Sequence, residues 1–184
     1  VYVTNAPRTN TTSVAEFTIS LILLLSKQLI NGMRIQKTGQ YHLKDKCMGN
    51  DIENKVLGII GFGNIGKKVA ELAHGMGMKV VAYDPYVPSD VFEELHTQQI
   101  TNLDDIFPIS DYISLHMPGL ETFRGMISEK QLDMMKDSAY LINCARGLLI
   151  DENALSKALK NNWIAGAALD VTCVEPLPEG NPLR

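Results

Sequence analysis

Apolar and polar positions alternate differently in the first and the later parts of this 184-residue chain. A wide apolar stripe predicts a long helix over about residues 14–29, with Ser13 as its N-cap and Glu16 completing a capping box. Residues 1–4 have the pattern of a short strand. The polar, glycine-containing residues 32–54 are expected to form a loop with a short helical piece.

From residue 55 onward, short apolar runs alternate with segments of helical spacing. The predicted strands cover residues 55–60, 78–83, a short piece at Ile100, 112–115, 139–143 and 164–171. The predicted helices cover residues 64–75, 102–107, 128–135 (capped by Ser128) and 152–161. Strands that alternate with helices of about ten residues form parallel βαβ units. Near-continuous apolar strands require a sheet covered on both faces, so the pattern predicts an α/β fold with a doubly wound parallel sheet.

A glycine-rich loop, Gly61-Phe62-Gly63-Asn64-Ile65-Gly66, lies between the first of these strands and the helix that follows it. Gly61 allows a tight turn, Gly63 lets the backbone approach a pyrophosphate, and Gly66 lets helix and strand pack closely. The helix N-terminus adds free N–H groups and a partial positive charge. In this context the loop predicts a dinucleotide site on a Rossmann-type fold.

Asp84 ends the second predicted strand, close to the ~20-residue distance at which an acidic residue follows such a loop. A carboxylate there can accept hydrogen bonds from the adenosine ribose and repels a 2′-phosphate, which favours NAD over NADP. The alternative is that Asp84 only begins the turn with Pro85. The order of strand, glycines, helix, strand and acidic residue favours the first interpretation.

Composition and charge narrow the range of partners. Hydrophobic residues make up 45% of the chain, and the net charge is −4, with scattered lysines and arginines. No basic run suggests nucleic acid or an anionic membrane. The most apolar stretch, residues 19–25, is far shorter than the ~20 residues that a membrane span needs. The chain opens without a methionine or a basic signal region, so we expect a fragment of a longer protein.

The three cysteines, Cys47, Cys144 and Cys173, have neither zinc-ligand nor CxxC spacing. Reduced thiols of a cytoplasmic protein, with no metal site, are the expectation. A catalytic thiol at Cys144 is conceivable, but no base lies next to it in the sequence. A small side chain beside a cofactor is the favoured interpretation.

Several further segments resemble, in order, motifs of the D-isomer-specific 2-hydroxyacid dehydrogenases, and 3-phosphoglycerate dehydrogenases most of all. These segments are Asn5-Ala6-Pro7 with Ser13-Val14-Ala15-Glu16, Ser114-Leu115-His116-Met117-Pro118, Leu141-Ile142-Asn143-Cys144-Ala145-Arg146-Gly147, and Ala165-Gly166-Ala167-Ala168-Leu169-Asp170-Val171 followed by Glu175-Pro176. The resemblance covers nearly the whole chain. It implies that residues 1–184 are the NAD-binding domain of an enzyme that moves a hydride between NAD(H) and C2 of a small 2-oxo or D-2-hydroxy acid.

The resemblance also implies roles for the motif residues. Arg146 would bind the substrate carboxylate and carbonyl oxygen, which suits a permanently charged guanidinium able to make two parallel hydrogen bonds. Asp170 would hold the nicotinamide end of NAD. Glu175 would pair with a catalytic histidine, raise its pKa and so keep a proton available. In the family that histidine lies beyond the glutamate–proline pair, so here it is expected after Arg184.

The remaining predicted cofactor contacts are mainly backbone ones, at Asn64, Ile65, Cys144 and Ala145, together with the segment of His116 and Pro118. Arg146 is predicted to contact the cofactor as well as the substrate. His116 is interpreted as a structural or cofactor-side residue rather than the proton donor. The first long helix resembles the family's dimer-forming helix, so a homodimer is expected. The stretch Gly119-Leu120-Glu121-Thr122-Phe123 departs from the family's threonine-containing pattern, which puts a hydroxyl contact there in doubt.

Two other functions remain open at this stage. One is an NAD-sensing corepressor on the same scaffold, like the C-terminal-binding-protein group, whose motifs are similar. The other is a methyltransferase of similar fold, which the arginine and glutamate motifs disfavour.

Overall fold

The computed structural model describes residues 9–184, without the side chain at position 46. Within them lie six parallel strands in the order β3-β2-β1-β4-β5-β6. The strands are β1 Val56–Ile60, β2 Lys79–Tyr83, β3 Gln98–Gln99, β4 Tyr112–Leu115, β5 Tyr140–Asn143 and β6 Gly166–Leu169. This strand order defines a Rossmann-type sheet, and the predicted fold class is confirmed.

Six α-helices accompany the sheet: α1 Thr11–Ser26, α2 Leu29–Thr38, α3 Asn64–Gly75, α4 Ser89–Glu94, α5 Glu129–Asp133 and α6 Glu152–Lys160. Short 3-10 helices cover Tyr41–Cys47, Leu103–Ile106, Glu121–Phe123 and Gly147–Leu149. The predicted cap at Ser128 is present as a capping box with Gln131. Within residues 9–184 no single helix is long and apolar enough to cross a membrane; α1 and α2 meet the length and composition criteria only as a pair, bent by 58°.

Two apolar cores lie on the two faces of the sheet. Neighbouring residues of β1 point to opposite cores, Ile59 to one and Ile60 to the other, and both are fully buried. The Ile59 core includes α1 and α3, and the Ile60 core includes α5 and α6. Because both faces are covered, every strand residue can be apolar, which explains the near-continuous apolar runs.

The predicted start of α1 is wrong. The helix begins at Thr11 with Asn10 as N-cap, and no side chain caps it. Ser13 and Glu16 therefore lie inside the helix rather than forming a capping box. The helix start follows the packing of α1 against α3 and β5 through buried residues such as Ala15 and Ile22, which local capping signals do not report.

The region after α1 is more helical than predicted. Gln28 adopts a left-handed conformation (φ 53°), which ends α1 before residue 29, and α2 begins directly after it. Gly32 lies within α2 and not in a loop. The short helix α4 was not predicted; its buried Phe92 stacks on Phe62 with ring centroids 4.6 Å apart. The predicted strand at residues 1–4 lies outside the described residues.

Candidate dinucleotide and substrate site

Two glycines of the loop after β1 have no room for a side chain. Gly61 has φ +95°, and a Cβ there would lie 2.7 Å from the carbonyl carbon of His116. A Cβ on Gly66 would lie 2.2 Å from the carbonyl oxygen of Gly61. Gly63 differs, because nothing lies within 4 Å of a Cβ built on it. The loop is thus closed on the protein side and open above Gly63.

The N-terminus of α3 meets this open space. Gly63 is the N-cap of α3, and no side chain caps the helix. Backbone N–H groups at an uncapped helix start have no intrahelical partners and carry a partial positive charge. An accessible glycine beside such a helix start is a cradle for phosphate groups. The geometry therefore fits the pyrophosphate of a dinucleotide.

Asp84 contacts this loop directly. One carboxylate oxygen accepts a hydrogen bond from the backbone N–H of Phe62 (2.8 Å), and the other accepts one from the N–H of Tyr86 (3.0 Å). Asp84 thus steadies the glycine loop and begins the turn with Pro85, and its contact with the adenosine ribose stays a prediction. Its carboxylate sits at the carboxyl end of β2, beside the open space.

Two cavities run along the carboxyl ends of the central strands. The first, of about 250 Å³, is lined by Gly61, Gly63, Tyr83, Asp84, Pro85, Tyr86, His116, Met117, Pro118, Leu120 and Phe123. The second, of about 340 Å³, is lined by Asn10, Val14, Ile65, His116, Met117, Pro118, Cys144, Ala145 and Arg146. They share the wall formed by residues 116–118. The structure thereby joins predicted residues from the loops after β1, β2, β4 and β5 in one elongated site.

His116 lies in the shared wall. Its Nε2 is 2.8 Å from the hydroxyl oxygen of Ser114, and burial lowers the pKa of His116 to about 4. The imidazole is therefore neutral near pH 7, which supports a cofactor-side role rather than proton donation. Burial also raises the pKa of the Cys144 thiol, so this side chain stays protonated at neutral pH, as suits a packing residue.

Arg146 is exposed and lines the second cavity. Its Nη1 donates a hydrogen bond to the carbonyl oxygen of Ala145 (2.7 Å). Gly119 packs against its aliphatic stem, since a Cβ on Gly119 would lie 2.7 Å from Cγ of Arg146. The departure from the family pattern after Pro118 thus has a visible consequence: a side chain at position 119 would displace the arginine.

The loops that carry Asp170 and Glu175 lie beside the arginine loop. The backbone N–H of Asp170 donates to the carbonyl oxygen of Asn143 (3.0 Å). A Cβ on Gly147 would lie 2.0 Å from the carbonyl carbon of Thr172, so the two loops are in close contact. Glu175 is exposed and accepts a hydrogen bond from the N–H of Thr172 (3.1 Å).

Four predicted site residues do not line either cavity. Asp170 and Glu175 lie in the neighbouring loop, and Gly66 is buried against Gly61. Asn64 lines a separate shallow groove with Thr11 and Lys67. A backbone contact from Asn64 to the cofactor stays a prediction.

Sequence reasoning also missed several lining residues: Asn10, Val14, Tyr86, Met117, Leu120 and Phe123. The first two come from the start of α1, and tertiary packing alone brings that helix end to the site. For the aromatic and apolar ones, a usable signal was their position directly after a strand-end motif.

The sheet and this site define the class of the protein: it is a Rossmann-type dinucleotide-binding domain. A dinucleotide cradle lies where the strand order reverses, between β1 and β4, which is where open α/β sheets bind their ligands.

Comparison with known proteins narrows the class to a family. The family profile described as "D-isomer specific 2-hydroxyacid dehydrogenase, NAD binding domain" matches residues 19–184. The chain belongs to this family and is an NAD-binding domain of it.

Individual relatives agree with this assignment. The chain is 39% identical over 183 residues to a D-3-phosphoglycerate dehydrogenase of Methanocaldococcus jannaschii, and the match covers 100% of the chain and 34% of that protein. It is 40% identical over 189 residues to a glyoxylate reductase of Thermofilum pendens, with 100% of the chain and 55% of that protein covered. The chain therefore spans between a third and just over half of these relatives.

A solved structure agrees as well. The crystal structure of D-lactate dehydrogenase with NAD+ from Lactobacillus jensenii superposes with a TM-score of 0.85 at 36% identity, covering 94% of this chain and 52% of that one. These relatives are named as dehydrogenases or reductases, so the corepressor interpretation gains no support from them.

Proposed function

We propose that the protein to which this domain belongs is an NAD-dependent oxidoreductase acting on a small D-2-hydroxy or 2-oxo acid, with 3-phosphoglycerate among the candidate substrates. The observation that carries the proposal is Arg146, an exposed guanidinium that lines the same cavity as Ile65 of the glycine loop. When bound, NAD(H) supplies or accepts the hydride. The residues of this chain would bind and orient the cofactor and the acid, and would stabilise charge on the substrate oxygen.

Arg146 would grip the acid. A guanidinium can donate two parallel hydrogen bonds to a carboxylate or to a carboxylate and an adjacent carbonyl. It remains charged throughout, so it also stabilises negative charge that develops on the substrate oxygen. Its place at the carboxyl end of β5 is where a substrate would meet the nicotinamide side of the cleft.

The proton donor would come from outside the described residues. All four histidines of the chain lie within residues 9–184, and of these only His116 lines either cavity. With its pKa lowered to about 4, His116 is a neutral imidazole near neutral pH and lacks the acidic imidazolium proton that a general acid would donate. Glu175 would support the missing histidine, because a nearby carboxylate favours imidazolium. Asp170 would hold the nicotinamide end.

Asp84 would set the cofactor preference. Its carboxylate is fixed by two backbone hydrogen bonds and lies at the wall of the first cavity. Each carboxylate oxygen can accept further hydrogen bonds, and the negative charge disfavours a 2′-phosphate. This supports NAD over NADP.

The decisive experiment is an assay of the full-length natural protein with NADH and a panel of 2-oxo acids. The panel should include glyoxylate, pyruvate and 3-phosphohydroxypyruvate, the 2-oxo acids that correspond to the relatives' names. We expect reduction of at least one to its 2-hydroxy acid, with the D configuration where C2 of the product is chiral. No turnover with any 2-oxo acid would contradict the proposal.

A homodimer in the cytoplasm completes the proposal. Large apolar side chains are exposed along α1, α2 and the segment after them, notably Ile30 and Met33, each 61% exposed, and Met48 at 78%. Burial of such side chains in a second copy would remove them from water. The free thiols of Cys47, Cys144 and Cys173 suit a reducing compartment. Sedimentation of the wild type against Met33→Asp tests the dimer, which the charge should weaken.

A further inference from the structure

Asn143, the last residue of β5, has a polar side chain in a fully buried position. Its neighbours in the strand, Leu141 and Ile142, are apolar and equally buried. A buried amide is costly unless its donor and acceptor are both satisfied. Apolar packing alone therefore does not explain why an amide side chain occupies this buried position.

Both ends of the Asn143 amide are hydrogen-bonded to the loop that carries Arg146. The side-chain Nδ2 donates to the carbonyl oxygen of Arg146 (2.9 Å), and Oδ1 accepts from the backbone N–H of Ala145 (3.0 Å). The main-chain oxygen of Asn143 accepts from the N–H of Asp170 (3.0 Å). One residue thus connects the end of β5, the arginine loop and the start of the loop after β6.

The chemistry selects asparagine at this place. The short side chain reaches its own backbone two residues on, and the amide offers a donor and an acceptor at once. An ionised aspartate would accept from Ala145 but would face the carbonyl oxygen of Arg146 without a proton to donate. An alanine would leave that carbonyl and the N–H of Ala145 without these partners.

We propose that Asn143 is a positioning residue: its buried side chain fixes the backbone of residues 144–146 so that Arg146 is presented to the substrate. The inference rests on the proposed function of Arg146, but the loop geometry it describes can be measured without turnover. Asn143 itself is not expected to touch substrate or cofactor, since it lines neither cavity.

The test uses three variants of the full-length natural protein: Asn143→Ala, Asn143→Asp and, as a matched control, Ser110→Ala. Ser110 is also a fully buried polar residue, bonded to the carbonyl oxygen of Ile106 (2.7 Å) before β4, at the opposite end of the sheet. For Asn143→Ala we expect KM for the 2-oxo acid to rise about 10-fold or more, and Kd for NADH to rise by a smaller factor, because Cys144 and Ala145 are themselves predicted cofactor contacts. Ser110→Ala should leave both constants in place even if it lowers the melting temperature.

Aspartate at position 143 adds a pH signature. Below its own pKa the carboxyl carries a proton and can again donate to the carbonyl oxygen of Arg146; above that pKa it cannot. The ratio of kcat/KM between Asn143→Asp and wild type should therefore rise as the pH falls, while the ratio for Asn143→Ala stays flat. The titratable groups near this position are Arg146 and Cys144 on the same loop, Asp170 after β6 and His116 after β4, and dividing by the wild type removes their shared titration.

Hydrogen exchange separates the failure of this inference from the failure of the proposed function. The amide of Ala145 is bonded to Asn143, so Asn143→Ala should speed its exchange, whereas Ser110→Ala should not. If the wild type reduces no 2-oxo acid, the proposed function is lost, and unchanged exchange at Ala145 would still overturn the positioning role. An unchanged KM in Asn143→Ala, an equal rise in KM in Ser110→Ala, or equal pH behaviour of the two Asn143 variants would overturn it in an active protein.

Discussion

The two ends of the elongated site, the glycine-loop end and the arginine end, are built differently. In the nucleotide end, the glycine loop 61–66 packs so tightly that Gly61 and Gly66 exclude any side chain, and Asp84 is bonded to the same loop. At the other end, the proposed substrate end, Arg146 is exposed, as are Asp170 and Glu175 in the neighbouring loop, and hydrogen bonds from Asn143 and Glu152 hold these loops. The nucleotide end is therefore a formed cradle, whereas the proposed substrate end presents exposed charged side chains.

This difference separates two kinds of sequence signal. The cradle depends on residues close together in the chain, so strand, glycines, helix and Asp84 could be placed from spacing alone. The lining residues Asn10 and Val14 could not, because only tertiary packing brings the start of α1 to the site. Of the elements, the long periodic ones were predicted well, whereas α2 was missed because most of its residues are exposed and it has no buried face.

The family motifs identified Arg146 and Glu175 but not what supports them. From the sequence, Asn143 has no assigned role within the arginine motif, and Glu152 is only the first residue of a predicted helix. Their importance lies in hydrogen bonds to loops that are distant or turned back in the chain, which periodicity does not encode.

The largest expected effect is on the substrate end. In the full-length protein, Arg146→Gln removes the charge that would bind the acid, and kcat/KM should fall about 10²- to 10³-fold with NADH affinity nearly unchanged. Steady-state kinetics and an NADH titration measure the two. The matched control is Arg124→Gln, an exposed arginine paired with Glu121 outside the cavities. Equal losses in both variants would break the distinction between the two ends.

A substitution at the nucleotide end should instead lower the affinity for NADH. Gly66→Ala places a Cβ against the carbonyl oxygen of Gly61, so the glycine loop must shift from the position in which it approaches the pyrophosphate, and Kd for NADH should rise about 10- to 100-fold. Gly75→Ala is the control, because a Cβ there meets nothing within 4 Å. Fluorescence titration measures both. Wild-type affinity in Gly66→Ala would show that the tight packing is not needed.

A smaller effect is expected when Glu152, which holds the Glu175 segment through hydrogen bonds, is replaced. Glu152 accepts hydrogen bonds from the N–H of Cys173 and from Nδ2 of Asn181, both at 2.7 Å, and so holds the segment that carries Glu175. Glu152→Ala should lower kcat/KM about 10-fold and leave NADH binding unchanged. Glu129→Ala, which removes an exposed partner of Lys157, is the control. Activity equal to wild type in Glu152→Ala would mean that Glu152 is not needed to position the segment that carries Glu175.

The smallest expected effect concerns cofactor choice. Asp84→Ala removes the negative charge at the ribose end, so the ratio of NADPH to NADH affinity should rise several-fold, by up to about 10-fold. Part of the change will be a weaker NADH site, because the N–H of Phe62 loses its partner. Titration with both cofactors resolves the two contributions. A constant affinity ratio would remove Asp84 from the ribose assignment.

The most direct test of the central claim is a calorimetric titration of the 184-residue chain with NADH and NADPH, alongside its Gly66→Ala variant. Because the cradle lies wholly within this chain, we predict saturable binding of NADH, weaker binding of NADPH, and a clear loss of NADH affinity in the variant. A folded chain that binds no NADH, or that binds it equally well with and without the Gly66 substitution, would contradict the account.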